Sequence, residues 1–250
     1  MSRIVVSVLN HNLPQETDKL VESLQPYSDR DNYEIWVLDN GSKEDLQSKY
    51  TTHYLEQNFF FGGAFCACVD MFLETNADYL LFMNNDLVIN GNNFVKSLVY
   101  EADIGGYDLL SGTFFNMEGW NAQCHWKMML GNNTKEIRNV PYIDFQMPLL
   151  SRKLLKEFQY NYSEIVVNNI RGWGIDFLFS YICKKNRWRI GVVDYISALH
   201  LNSLTVKKGV SGINMQQYCQ FSEKEQHNMF NELGLLTEWK KLKKEAELYS

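Results

Sequence analysis

Five apolar residues in a row, Tyr79-Leu80-Leu81-Phe82-Met83, stop abruptly at Asn84-Asn85-Asp86. A run with no polar alternation suits a strand buried on both faces, and such strands belong to parallel sheets covered by helices on each side. The flanking sequence agrees. Ile4–Leu9 and Tyr33–Leu38 are further β-rich runs, and between them Pro14 opens a stretch to about Gln25 whose Leu20, Val21 and Leu24 share one helical face. Strand and helix patterns in alternation predict βαβ units and an α/β fold. In open α/β sheets, ligands collect beyond the carboxyl ends of the strands. Leu9–Asn12, Asp39–Ser42 and Asn84–Asp86 are therefore expected to line one crevice.

The remaining pattern fills in the same scheme. Lys43–Tyr50 reads as a short helix and His53–Leu55 as a third strand. Gly62–Thr75 places Phe65, Val69, Phe72 and Leu73 at helical spacing, behind two glycines that would let the backbone approach a ligand closely. Leu109–Phe115 and Val140–Pro148 read as strands, with Asn116–Arg138 between them as a long insertion or hairpin suited to substrate selectivity. A helix is predicted from Gly174, with Ile175, Leu178, Phe179 and Ile182 on its buried face, then short strands Ile190–Val193 and Ile196–Leu199 around Asp194. In the tail, Met229, Leu233, Leu236, Trp239, Leu242 and Ala246 form one stripe beside Lys240, Lys241, Lys243 and Lys244.

Composition narrows the function classes. A chain of 250 residues with 45% hydrophobic and 22% charged residues is long enough and apolar enough for a sizeable core. Its net charge of -6 gives no general attraction to phosphate backbones, so nucleic acid is not expected as a partner. The five cysteines are odd in number and lack C-x-x-C spacing, which fits reduced thiols better than a disulfide framework or zinc knuckle. The opening apolar run is too short for a signal-peptide core, and no segment approaches the length of a membrane span. A cytoplasmic protein is expected, and the three Asn-x-Ser/Thr triplets at Asn40, Asn132 and Asn161 are read as chance.

Taken in order, the landmarks are Val6-Ser7-Val8-Leu9-Asn10-His11-Asn12, Val37-Leu38-Asp39-Asn40-Gly41-Ser42, Asn58-Phe59-Phe60-Phe61-Gly62-Gly63-Ala64, Leu81-Phe82-Met83-Asn84-Asn85-Asp86 and Gly172-Trp173-Gly174-Ile175-Asp176, then a strand ending at His200. This order and spacing resemble the GT-A-fold glycosyltransferases of the family 2 type over about residues 3 to 200. Val140–Phe158 resembles that family's acceptor-side strand and following helix. The resemblance implies a GT-A, Rossmann-like α/β fold with a mostly parallel central sheet, over residues 1–205. Its donor half would be about 1–105 and its acceptor half about 106–205, with a C-terminal helical extension at 206–250.

The resemblance also implies an inverting transfer of a sugar from a nucleotide-sugar donor, UDP-sugar foremost, to a hydroxyl of a glycan or lipid-linked glycan, as in polysaccharide biosynthesis. Asp39 matches the position that hydrogen-bonds the base, Asn10 and Asn12 close the first strand beside it, and Asn58, Gly62 and Gly63 would shape the pocket floor. Phe60 stands where the common form of that segment has its first glycine. Asn84-Asn85-Asp86 stands where the family has D-x-D, with Asn at the first position. Asn84 and Asn85 are then donor contacts, and Asp86 and His200 are ligands of a divalent metal, Mn2+ or Mg2+. A metal held by oxygen ligands and one imidazole would stabilise a departing diphosphate, and one carboxylate suffices because such ions also take phosphate oxygens and water. Stabilisation of the leaving group without metal is the alternative.

An acceptor hydroxyl must lose its proton as it attacks, which calls for a carboxylate within hydrogen-bond reach. Asp176 is assigned that role. At a helix start, the helix dipole favours the ionised form a base needs. Trp173 and Gly174 are read as substrate-binding, the indole stacking on a sugar face. Each residue has a plainer reading: Asp176 as a helix cap, Trp173 as core, His200 as a satisfied histidine, the lysine stripe as a solvated face rather than a peripheral contact with the inner face of a membrane. His11, His53, His125 and His227 show no ligand spacing and receive no role. The alternative function is a catalytically silent sugar-nucleotide or glycan binding protein. A dinucleotide oxidoreductase is disfavoured because Gly62-Gly63 is not G-x-G-x-x-G.

Overall fold

The computed structural model describes residues 2–28, 32–89, 91–114, 126–131, 134–201 and 214–249. The strands are β1 (Ile4–Asn10), β2 (Tyr33–Asn40), β3 (His53–Leu55), β4 (Tyr79–Asn84), β5 (Leu87–Ile89), β6 (Tyr107–Phe114), β7 (Ile137–Asn139), β8 (Leu149–Ser151) and β9 (Arg189–His200). The helices are α1 (Pro14–Leu24), α2 (Phe60–Glu74), α3 (Phe94–Gly105), α4 (Arg152–Asn161), α5 (Ser163–Val166), α6 (Ile175–Asn186), α7 (Met215–Glu232) and α8 (Leu236–Leu248). Among the described residues the strands form one sheet in the order β3-β2-β1-β4-β8-β6-β9-β5, with β7 also pairing β9.

The sheet order follows from which runs are apolar throughout. β1 and β4 are buried along nearly their whole length, and they sit side by side in parallel, with α1 and α2 supplying the crossovers. Register then aligns the strand ends: Asn10 lies beside Asp39, and Leu9 beside Asn84. The three polar turns meet at the carboxyl edge, as the sequence predicts. α2 packs behind that edge through Phe65, whose ring contacts Phe82, Phe145, Phe158 and Phe179 at centroid distances of 5.2–5.7 Å. Edge-to-face and tilted aromatic contacts of this kind fix ring orientation as well as burying area. One side chain thus ties a strand, a loop and two helices together.

Several expected elements differ. Lys43–Tyr50 contains one 3-10 turn, Glu44–Leu46, in place of a helix. Val140–Pro148 is irregular, and the strand begins only at Leu149; the Phe82 and Asn84 N–H groups donate to Pro148 O and Gln146 O, both at 3.1 Å, without a continuous ladder. The two strands expected around Asp194 are one strand of 12 residues. A register shift opposite Gly112 absorbs extra residues of β9, and the Asp194 carboxylate is paired there at 2.8 Å with Arg138, which also donates to Met128 O and Leu130 O. A buried charge satisfied in this way does not break a strand. The tail stripe spans two helices. α7 begins at a capping box formed by Asn214 and Gln217, and Gly234, at φ 67, turns the chain into α8. Phe230 and Trp239 stack across that turn at 5.1 Å.

Residues 116–125 and 132–133 of the expected insertion, and the expected boundary at 205/206, lie outside the described residues. Among the described residues no helix is long and apolar enough to cross a membrane.

Candidate active site

The carboxyl ends of β1 and β2 are joined through side chains. Asn10 Nδ2 donates to Asp39 Oδ2 at 2.8 Å and to Ser42 Oγ at 3.2 Å, while its Oδ1 accepts from the Thr17 hydroxyl at 2.9 Å. Asp39 Oδ1 accepts the Ser42 N–H at 2.8 Å. Asn85 joins the same network by donating to Thr17 Oγ1 at 2.9 Å. Asn10, Thr17 and Asp39 are at most 1% exposed, so in this arrangement their polar atoms serve one another and hold three strand ends in place. Asn12, in the left-handed region at φ 54, donates its N–H to Ser42 Oγ and accepts the Lys43 N–H.

A second layer involves residues to which the sequence reading gave no role. His11 Nδ1 lies 2.9 Å from Asn40 O, and the Asn58 and Asn12 amides approach its Nε2 at 3.1 and 3.2 Å. Two amide donors on Nε2 fix the proton on Nδ1, which donates to Asn40 O. Burial pushes the imidazole below its usual range, in keeping with this neutral form. Asn40 Oδ1 accepts the Phe59 N–H, and its Nδ2 donates to Asn58 Oδ1 and Phe60 O. These bonds hold Phe60 at φ 53. A non-glycine residue there carries roughly 1–2 kcal/mol of strain, which gives a physical reason for glycine in the common form of this segment.

The glycines that follow make close approaches to protein. A Cβ on Gly62 would lie 2.2 Å from Asn169 O, and the Gly62 N–H donates to Ile170 O at 2.8 Å. A Cβ on Gly63 would meet the Phe59 side chain at 2.8 Å. The close approach is to protein, between α2 and the loop preceding α6. Gly174 is likewise enclosed: at φ 89, its absent side chain would strike Gln226 and Phe230 of α7. Beside it Trp173 is 37% exposed, while its carbonyl accepts from Asn169. Arg171 pins this loop to α7. Its N–H and guanidinium both donate to Glu225, and the guanidinium lies over the rings of Phe60 and Phe221 at 5.3 and 4.8 Å.

Asp86 and His200 are brought together by the antiparallel pairing of β5 with the end of β9. His200 Nε2 lies 3.3 Å from Asp86 Oδ1, and both side chains are partly accessible. Among the described residues no group of three His, Cys, Asp or Glu side chains is placed to hold a metal ion. One carboxylate and one imidazole nonetheless fit a hard divalent cation that takes its other ligands from phosphate oxygens and water.

Asn84 points the other way, donating to Gln146 Oε1, and Gln146 Nε2 donates to Asp144 Oδ1 at 3.3 Å. Asp144 in turn acts electrostatically on Asp176. The Asp176 carboxylate accepts the Tyr142 hydroxyl on Oδ2 and the Phe177 N–H on Oδ1 at 2.8 Å. Its position at the start of α6 was expected to favour ionisation. Burial, and after it the Asp144 charge, instead push it up to about 7, against the two hydrogen bonds. A carboxyl group titrating there can accept a proton near neutral pH and yields it readily. Asp144 was missed because nothing local in the sequence joins it to Asp176.

Residues 4–158 match Glycosyl transferase family 2. No curated protein sequence matches the chain. Among solved structures, S. aureus TarS 1–349 superposes with a TM-score of 0.57 at 17% identity, covering 92% of this chain and 72% of that one. Its complex with UDP-GlcNAc gives 0.52 at 16%, covering 92% and 73%. Glucosyl-3-phosphoglycerate synthase from Mycobacterium tuberculosis, in complex with Mn2+, UDP-Glc and phosphoglyceric acid, gives 0.55 at 16%, covering 94% and 80%. Likeness at such identities concerns the fold, and it agrees with the GT-A α/β architecture expected from the strand-end landmarks. The sequence match takes in all three of those strand ends and more than half of the 250 residues, and on that ground the chain belongs to glycosyl transferase family 2.

Proposed function

We propose that this glycosyltransferase moves a sugar from a UDP-sugar to a hydroxyl of a glycan or lipid-linked glycan, with inversion at the anomeric carbon. The observation that carries the reading is Asp176: a carboxylate in the first turn of a helix, three residues after the exposed Trp173, with its proton affinity raised to about 7. The acceptor hydroxyl gives its proton to Asp176 as its oxygen attacks the anomeric carbon, and the nucleotide leaves from the opposite face. Displacement in one step inverts the configuration. The Trp173 ring offers a platform for the apolar face of a sugar.

Asp86 and His200 would hold a divalent cation, Mn2+ or Mg2+, which when bound neutralises charge on a departing diphosphate. The strand-end network of Asn10, Asp39, Ser42 and Asn85 frames the crevice in which the nucleotide lies, with Asn12 and Asn58 at its rim. UDP is favoured as the nucleotide because glucosyl-3-phosphoglycerate synthase and TarS are seen with UDP-Glc and UDP-GlcNAc. Residues 1–205 are read as the catalytic domain, and the 206–250 extension as its buttress, since α7 holds the Arg171–Gly174 loop.

The experiment is a panel of UDP-, GDP-, dTDP- and CMP-sugars with and without Mn2+, read by thermal shift and by release of free nucleotide. A ligand of the native state raises its melting temperature by mass action. Stabilisation by UDP-sugars in the presence of metal, with UDP release that Asp176→Asn abolishes, is the expected result. UDP release by Asp176→Asn at the wild-type rate would overturn the assignment of Asp176 as base, and binding without release in the wild-type protein would favour a silent binding protein.

A further inference from the structure

Trp126 falls within the 116–138 stretch that the sequence marks for substrate selectivity, and it directly precedes a 3-10 turn, Lys127–Met129, that is tied down on several sides. Met128 and Met129 are fully buried, and the Arg138 guanidinium, itself held by Asp194 at 2.8 Å, donates to Met128 O and Leu130 O at 2.9 Å. The turn therefore presents its indole in one place. The Trp126 ring packs on Tyr142 at 5.1 Å and on Phe177 at 5.6 Å, with the planes inclined at 63° and 85°. Tyr142 and Phe177 are stacked on each other at 4.2 Å, so both contacts reach the indole from the same side, and Trp126 as a whole is only half-buried.

The same two residues hold the carboxylate of Asp176. Tyr142 donates its hydroxyl to Oδ2, and the Phe177 N–H donates to Oδ1 at 2.8 Å. A hydroxyl close enough to give its proton to Asp176 thus belongs to a molecule lying among aromatic side chains, one ring away from Trp126. We propose that Trp126 is an acceptor-binding residue whose indole receives the apolar face of a pyranose, and that the acceptor is a ring-form saccharide rather than an open-chain polyol or a small phosphorylated acid. This rests on the reading of Asp176 as the base. The C–H groups of a pyranose form a flat apolar patch that packs on an indole, whereas a polyol or a small anion has no such face to offer. An indole fixed in advance by its turn loses little conformational freedom when the sugar arrives, so the contact contributes to affinity nearly in full.

The test uses the full chain with 5-fluorotryptophan in place of its six tryptophans, the Trp126 fluorine signal being assigned by its loss in Trp126→Phe. With UDP and Mg2+ present, the protein is titrated with the methyl pyranosides of glucose, galactose and N-acetylglucosamine and with cellobiose, and separately with glycerol, ribitol and 3-phosphoglycerate, which have no ring. The Trp126 signal is expected to move with at least one pyranoside and to stay in place with the ringless compounds. A signal unmoved by every pyranoside, or moved alike by the ringless compounds, overturns the proposal. Saccharide-stimulated UDP release from UDP-glucose and UDP-N-acetylglucosamine with Mn2+ gives the second readout. Trp126→Leu is expected to raise the KM for the saccharide about tenfold with kcat little changed, and Trp126→Phe, which keeps an aromatic ring in the same packing, to raise it less. A fall in kcat at unchanged KM makes the indole a packing residue behind Tyr142 and sinks the subsite. Asp176→Asn keeps the two readings apart: if its Trp126 signal still moves with saccharide while UDP is released at the wild-type rate, the base assignment falls and the indole subsite stands.

Discussion

Asp86 and His200, far apart in the sequence, meet at 3.3 Å between Oδ1 and Nε2 because β5 lies antiparallel to the last residues of β9. A second bond locks the crossing, since the Leu201 N–H donates to Asp86 O at 2.8 Å. If this pair holds the cation, Asp86→Ala and His200→Ala each remove the Mn2+-dependent part of the thermal shift given by UDP-sugar while leaving the protein folded. Titrating Mn2+ at fixed UDP-sugar checks this; an unchanged metal response in both variants would place the cation elsewhere.

The raised proton affinity of Asp176 has a cost in stability, with a definite sign. A carboxyl group whose folded pKa is raised from 3.8 to about 7 favours the native state below the unfolded pKa and loses that contribution as pH rises through 7. Asp176→Asn cannot ionise. The melting temperature of Asp176→Asn minus that of the wild type should therefore be larger at pH 8 than at pH 4. Scans at the two pH values decide it, and a difference that does not change with pH contradicts the burial described for this carboxyl.

Gly62→Ala separates a packing role from a ligand role. The added methyl would sit 2.2 Å from a main-chain carbonyl oxygen, which cannot rotate away as a side chain would. Overpacking of this kind costs about 1–3 kcal/mol. Denaturant unfolding should show the loss, and nucleotide binding at a temperature where the variant is folded should persist. A stable variant that fails to bind donor would restore the ligand role.

Glu225→Ala should loosen the loop ahead of the base from outside the catalytic fold. It leaves the Arg171 guanidinium, enclosed by Phe60 and Phe221, without its carboxylate partner, at a cost of about 2–3 kcal/mol. The rate of UDP release should fall with little change in donor affinity, since Glu225 makes its bonds to the loop ahead of Asp176. Glu225→Gln should recover part of the loss through its remaining acceptor.

The donor half of this arrangement was legible because it is local. An apolar run ending in polar residues fixes a buried strand, its direction and the edge on which its turn falls, so Asn10, Asp39 and Asn84–Asp86 could be placed on one crevice before any coordinates. The acceptor half was not legible in the same way. Asp144 reaches Asp176 only through the packing of an irregular segment against a helix start, and no periodicity marks it. His11 is a similar case: its partners Asn40 and Asn58 are scattered along the sequence, although its place directly after a strand end was a usable signal. The glycines do not by themselves say which role they serve, because a close approach to protein and one to a ligand demand the same residue. Asp194 misled because a charge within an apolar run reads as a break until its partner, Arg138, is known.

The frame around the donor crevice is made almost wholly from uncharged groups. Asn10 and Ser42 share one carboxylate, that of Asp39, and Thr17 and Asn85 are linked to it through Asn10 by neutral amide and hydroxyl bonds. Mobile ions weaken attraction between exposed charges and have little grip on neutral bonds in the interior. If a diphosphate enters this crevice as proposed, rising ionic strength will thus compete for it while leaving the walls that receive it unchanged.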